Sequence, residues 1–221
     1  MHTLSSYGYV LMLLYYLTSA EPTGDGYVVD PQINGCVTNP ILANLQFVDP
    51  SWVQNPHSGP YREIPSKPLN CIIQHPTEPN YMVNTYFYRS GVESLQQYYR
   101  AKRSSGPCLG VLLSSFFRYF AYEFDYKKYV VSLNTKHGEA KEKESKAEED
   151  GWSLFKNGLA IEDPFELFYD VAHVVKMSNF HRIQREFALA YSKIVNAACC
   201  NGGQISGRKV IDLICEPVAH N

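Results

Sequence analysis

The sequence lacks the spacings that mark the familiar metal and catalytic centres. Its six cysteines form no Cys-x-x-Cys pair and no Cys/His spacing suited to zinc, which excludes a zinc-ribbon or zinc-finger module. Adjacent Cys199 and Cys200 suit neither a structural disulfide nor a zinc pair, so free, partly buried thiols in a reducing compartment are expected. There is no Gly-x-x-x-x-Gly-Lys phosphate loop and no Gly-x-Ser-x-Gly elbow. A polymerase-type transfer site needs a Gly-Ser turn followed by two metal-holding carboxylates one residue apart. The chain has no Gly-Ser dipeptide, and Glu123-Phe124-Asp125 sits late in an apolar helical run with no glycine turn before it, so it reads as a decoy.

Charge of one sign is also lacking. Twenty basic against 22 acidic residues leave a net charge of -2, so any RNA contact must come from a local patch or another domain. The apolar run Tyr9 to Leu17 is too short to span a bilayer. Thr18-Ser19-Ala20 resembles a signal-peptidase site, but no Lys or Arg precedes the run, so the positive n-region is missing. On composition alone, a secretory signal and a buried helix are evenly matched.

Tyrosine is abundant, with 17 residues, and most of these rings are expected in packing roles. Residues Leu4 to Leu17 read as a helix apolar nearly all round, capped by Ser5 or Ser6 and belonging inside a larger body. Glu21 to Asn84 is rich in Pro, Gly and Asn and reads as a loop-rich connection in which His57 and His75 take solvent-exposed roles. Val92 to Tyr99 suits a short helix. Leu113, Phe117, Phe120 and Phe124 share one helical face, and Tyr129 to Leu133 reads as a strand. Lys136 to Asp150 mixes both charge signs with few apolar residues and reads as a solvated loop. Asp163-Pro164-Phe165-Glu166 is a helix start with a capping box, followed by Phe165, Phe168, Ala172 and Val175 on one face. Ile183, Phe187, Ala190 and Ile194 mark a second helix. Beyond Asn196 the chain is expected to fray, with Val210 to Cys215 as a short strand or helix.

Three stretches carry a resemblance. Leu4-Ser5-Ser6-Tyr7-Gly8-Tyr9-Val10-Leu11-Met12 resembles a helix start of the noncanonical poly(A) polymerases and terminal uridylyltransferases. Gly110 to Leu113, Phe116 to Tyr119, Glu123 to Tyr126 and Val130 to Leu133 resemble their poly(A)-polymerase-associated domain, and Ile161-Glu162-Asp163-Pro164-Phe165-Glu166 is similar to its signature. Asp170-Val171-Ala172-His173-Val174 is most similar to the kinetoplastid uridylyltransferases. The stretches follow the family's order over about half the chain.

The resemblance implies a mainly α fold with a small β component (α+β). Residues 1–104 would be a partial helical central domain with a long loop-rich insertion, 105–195 the PAP-associated domain, and 196–221 a tail. It implies that Ser6 contacts the triphosphate, that Tyr7 stacks on the base, and that Asp163 and Glu166 line the base edge. Tyr169 stands where some uridine-adding relatives carry a selecting histidine, and Asp170 follows it in place of Asn. The implied reaction is nucleotidyl transfer to an RNA 3′ end, with Mg2+ or Mn2+ held by a catalytic domain that this chain lacks. No residue here is expected to be catalytic or to bind metal, and the chain alone is expected to be inactive. UTP is the expected nucleotide, with ATP as the alternative. A non-enzymatic RNA- or partner-binding relic is the other alternative. No membrane role is expected, and the location implied is cytoplasmic, with mitochondrial the alternative.

Overall fold

The computed structural model describes residues 3–19, 21–23, 26–28, 72–75, 82–84, 109–135, 140–150, 158–200 and 207–215, with single positions at 42, 77, 80, 86, 93, 97 and 152. Helix α1 (Ser6–Ser19) opens the chain. The Ser5 hydroxyl caps it, accepting from the Gly8 N–H at 3.2 Å and leaving Ser6 exposed in the first turn. Leu4, Leu11, Met12, Tyr15 and Tyr16 recur at helical spacing and are buried. Gly8 lets Leu4 fold back over the helix, since a Cβ there would stand 2.5 Å from Leu4 Cδ1. The expectation of a helix buried all round holds for one face only: Tyr7, Tyr9, Val10 and Leu13 are exposed.

The connection after α1 contains more order than its composition suggests. β1 (Glu21–Thr23) pairs antiparallel with β2 (Gly26–Val28), and β3 (Ile72–Gln74) with β4 (Met82–Asn84). The helix expected over Val92 to Tyr99 lies almost wholly outside the described residues, as does His57.

Helix α2 (Leu109–Arg118) gives way to a wide π turn, Tyr119–Glu123, closed by the Phe124 N–H on the Tyr119 carbonyl at 2.9 Å. The extra residue in that turn rotates the inward face. Phe116, Tyr119, Phe120 and Phe124 are buried, while Leu113 and Phe117 are only partly so. These rings meet Tyr15 and Tyr16 of α1 and Phe187, much later in the chain, edge-on or tilted, as in Tyr16–Phe116 and Phe116–Phe187, both at 5.7 Å between centroids. Among the described tyrosines, Tyr15, Tyr16, Tyr86, Tyr119, Tyr126 and Tyr129 are buried, whereas Tyr7, Tyr9, Tyr122 and Tyr169 are exposed.

β5 (Tyr129–Val130) pairs with β6 (Lys141–Glu142), and Val131 bridges in parallel to Ile161. The charged run does not form a solvated loop where it is described. It forms β6 and helix α3 (Lys143–Asp150), and Lys143 and Lys146 are buried. Their ammonium groups face Glu162 and main-chain carbonyls, so mixed-sign composition here builds an internal polar network. Helix α4 (Met177–Cys200) carries Phe187, Ala190 and Ile194 inward and continues past Asn196, and α5 (Gly207–Ile214) packs against it. Cys199 and Cys215 are free and exposed. No described helix is long and apolar enough to cross a membrane.

Candidate functional site

Residues 163–176 do not continue as the helix their pattern suggests. Asp163 begins one locally: its Oδ1 accepts from the N–H groups of Phe165 (2.8 Å) and Glu166 (3.0 Å). The turn then closes on itself. The Asp163 N–H donates to the Tyr169 carbonyl, the Tyr169 N–H to the Glu166 carbonyl, and Glu162 bridges antiparallel to Asp170. The Asp170 carboxylate accepts from the N–H groups of Ile161 (3.0 Å) and Ala172 (2.8 Å), locking the neck of the loop. With the Asp163 N–H on a carbonyl, the reciprocal half of the capping box is absent, and the Glu166 side chain turns outward instead.

A buried network supports this loop. Lys146 and Glu162 are both fully buried, with Nζ and Oε2 2.7 Å apart. Lys141 reaches the same oxygen at 3.0 Å, and the Ser132 hydroxyl donates to Oε1 at 2.6 Å. Lys146 also donates to the Leu167 carbonyl, and Trp152 Nε1 to that of Phe168 at 2.9 Å. The loop main chain is therefore held at successive carbonyls from below.

On the other side of the loop, the first turn of α1 meets it. The Tyr7 hydroxyl donates to Asp163 Oδ2 at 3.0 Å, across 156 residues of sequence, while the residue keeps 43% of its surface exposed. Partial burial, then the hydrogen bond and charge of Asp163 and the charge of Glu166, push the Tyr7 hydroxyl up to about 12, so it stays a donor at neutral pH. His75, from the end of β3, is buried, and its Nε2 stands 3.4 Å from Glu166 Oε1. Its ring meets Phe168 edge-on at 5.8 Å.

The structure thus brings Tyr7, Asp163 and Glu166 together, with Ser6 next along α1. Tyr169 contributes main-chain bonds to the loop, and its half-exposed ring packs on His173 at 5.1 Å. His75 corrects the expectation of a solvent-exposed histidine. Its only sequence signal was the apolar Cys71-Ile72-Ile73 run ending before Pro76, which suits an extended strand but says nothing of a partner far along the chain. Among the described residues, no group of three or more His, Cys, Asp or Glu side chains is placed to hold a metal ion. The Glu123-Phe124-Asp125 step is structural: Glu123 pairs with Arg118 at 2.6 Å, Phe124 is buried, and Asp125 caps the N–H of Lys127.

Comparison with known proteins follows the same outline. Residues 108–167 match the family model described as Cid1 family poly A polymerase. The chain is 30% identical over 208 residues to the terminal uridylyltransferase cid1 of Schizosaccharomyces pombe, spanning 88% of this chain and 38% of the relative. It is 36% identical over 97 residues to the poly(A) RNA polymerase cid13 of the same organism, 41% of this chain and 16% of the relative. The chain therefore spans well under half the length of these relatives. Among solved structures, one of Cid1 in complex with the UTP analogue UMPNPP superposes with a TM-score of 0.51 at 28% identity, covering 87% of this chain and 44% of that one. A cytoplasmic RNA terminal U-transferase superposes with a TM-score of 0.53 at 27% identity, covering 97% and 49%. Motifs, fold and relatives together support the chain as a member of the noncanonical poly(A) polymerase and terminal uridylyltransferase family, with the family's PAP-associated domain matched over residues 108–167.

Proposed function

We propose that the chain is the nucleotide-cradling part of an RNA 3′-terminal nucleotidyltransferase, and that its site takes UTP. The observation that carries this reading is the Tyr7–Asp163 hydrogen bond beside Glu166: a half-exposed aromatic face, fixed in plane, next to a carboxylate. Tyr7 supplies a stacking platform for any base. Glu166 supplies acceptors at the base edge, where uracil offers N3–H and adenine offers the N1 lone pair. Ser6, exposed in the first turn of α1, would meet a phosphate of the nucleotide. Asp163 acts mainly as the anchor that holds Tyr7.

In the full enzyme, divalent metal would support attack of the RNA 3′-hydroxyl on the α-phosphate. In this reading this part of the chain contributes binding and orientation. Solved relatives are described as bound to MgATP and to the short product ApU, which supports a nucleotide, RNA and Mg2+ for the parent enzyme. The likeness to a poly(A) RNA polymerase favours ATP as the second reading. We assign residues 1–104, 105–195 and 196–221 to a partial central domain, the PAP-associated domain and a tail.

Chemical-shift titration of the 221-residue chain with UTP and with ATP tests the proposal, because it registers weak binding and locates it. Shifts centred on Ser6, Tyr7 and 163–166, larger for UTP, support it. Shifts elsewhere, or none, overturn it, and a stronger response to ATP establishes the second reading.

A further inference from the structure

We infer that His75 is a positioning residue for base recognition, an inference that rests on the reading of the site given above. Its imidazole occupies one oxygen of Glu166 and orients the other towards the base edge. His75 Nδ1 receives the backbone N–H of Thr77 at 3.3 Å, with the Thr77 hydroxyl 3.2 Å away. A backbone N–H can only donate, so Nδ1 carries a lone pair and the neutral ring holds its proton on Nε2. That nitrogen lies 3.4 Å from Glu166 Oε1, so a donor faces an acceptor. Phe168 holds the ring from the side, and the residue is only 7% exposed, so the imidazole has little freedom to turn away.

The consequence is chemical. Glu166 lies partly in solvent, where an unsupported carboxylate would sample several rotamers. With Oε1 engaged by an N–H, Oε2 is left as the acceptor a base would meet, on a carboxylate near enough to Tyr7 for its charge to act on that hydroxyl. An acceptor there favours a pyrimidine with a donor at N3, which is uracil, over one with a lone pair at N3, which is cytosine. The two bases have nearly the same size and stack alike, so the preference for UTP over CTP isolates the edge contact from the platform. His75 touches neither base nor phosphate in this arrangement. It acts through Glu166, and β3 brings it to the loop from a segment that composition alone marks as a connection.

The test compares dissociation constants for UTP and CTP in the wild-type chain, His75→Phe and His75→Gln. His75→Phe keeps the packing on Phe168 and removes the donor, and His75→Gln keeps a donor near the Nε2 position. One hydrogen bond to a charged group is worth a factor of roughly ten. His75→Phe is therefore expected to lower the UTP preference about three- to tenfold while CTP binding stays level, and His75→Gln to restore most of it. A preference unchanged in His75→Phe overturns the positioning role and leaves the site reading intact. A wild-type chain that binds neither nucleotide overturns both. Should His75→Phe fail to fold, the imidazole 15N spectrum of the wild-type chain decides: the proton on Nε2, with a resonance that moves in Glu166→Gln, supports the role, and the proton on Nδ1 overturns it.

Discussion

The Asp163 carboxylate receives three donors: the Tyr7 hydroxyl on Oδ2 and the N–H groups of Phe165 and Glu166 on Oδ1. Glu166 meets His75 through Oε1 and its side chain stays half-exposed. The two acids therefore differ in surroundings: Asp163 anchors Tyr7, and Glu166 is the proposed base reader. Changing Glu166 to Gln keeps size and adds a donor. The expected result is a fall of roughly tenfold in the affinity ratio of UTP to ATP, since a mismatched polar group in a site costs about 1–3 kcal/mol. Thermal stability should hardly change, because the Glu166 side chain closes no capping box. A drop in Tm with an unchanged ratio would reduce Glu166 to a structural residue. Tyr7→Ala should instead weaken both nucleotides alike. The tyrosines also give a pH prediction. Burial raises the Tyr15 hydroxyl from 10.0 to about 12, and Tyr7 rises as far for the reasons given above. A folded-state pKa above the unfolded one means the stabilisation is complete below pH 10 and is lost as pH rises towards 12. Tyrosinate absorbance should therefore lag that of free tyrosine and then rise together with loss of helical circular dichroism. Tyr15 titrating normally in a folded chain would contradict its burial.

At the scale of elements, the buried Lys146–Glu162 pair explains why the loop over 163–170 has a fixed shape. Removing one partner of a buried pair costs about 3–5 kcal/mol. Lys146→Ala should fall near the lower figure, because Lys141 still reaches Glu162. Urea unfolding would show it as a lowered midpoint, and an unchanged midpoint would mean the pair is not buried in solution. This network is also where the sequence was least legible. Lys143 and Lys146 lie in a run that reads as hydrated because the partners that pull them inward, Glu162 and the carbonyls of Gly158 and Leu167, sit 15 or more residues away. The strand at Tyr129 and the helix around Phe187 were legible, since their apolar periodicity agrees with the packing that forms. The face of α2 was misread by part of a turn because nothing local announces the π turn at Tyr119. The helix expected after Asp163 fails for a similar reason. Phe165, Phe168, Ala172 and Val175 have helical spacing, but the bridge from Glu162 to Asp170 closes the segment first. Of the candidate site, Ser6, Tyr7, Asp163 and Glu166 were nameable through family resemblance, whereas the contact between Tyr7 and Asp163 and the whole role of His75 arise only from tertiary packing.

For the whole molecule, α1, α2 and α4 share one aromatic core, and the site lies where the first turn of α1 meets the 163–169 loop. In the proposed reading this arrangement holds and orients a nucleotide. Because the sequence has no Gly-Ser turn followed by paired carboxylates, the chain by itself should extend no 3′-hydroxyl oligonucleotide with labelled UTP or ATP in Mg2+ or Mn2+. Extension above a boiled control would show that the catalytic groups are present after all. The central claim, that Tyr7, Asp163 and Glu166 form a base-recognition site, is tested most directly by a crystal structure of the chain with UTP. The account predicts the uracil ring lying on the Tyr7 face with its N3–H directed at a Glu166 oxygen. Uracil bound elsewhere, or seated on Tyr7 with N3 turned away from both carboxylates, would contradict it.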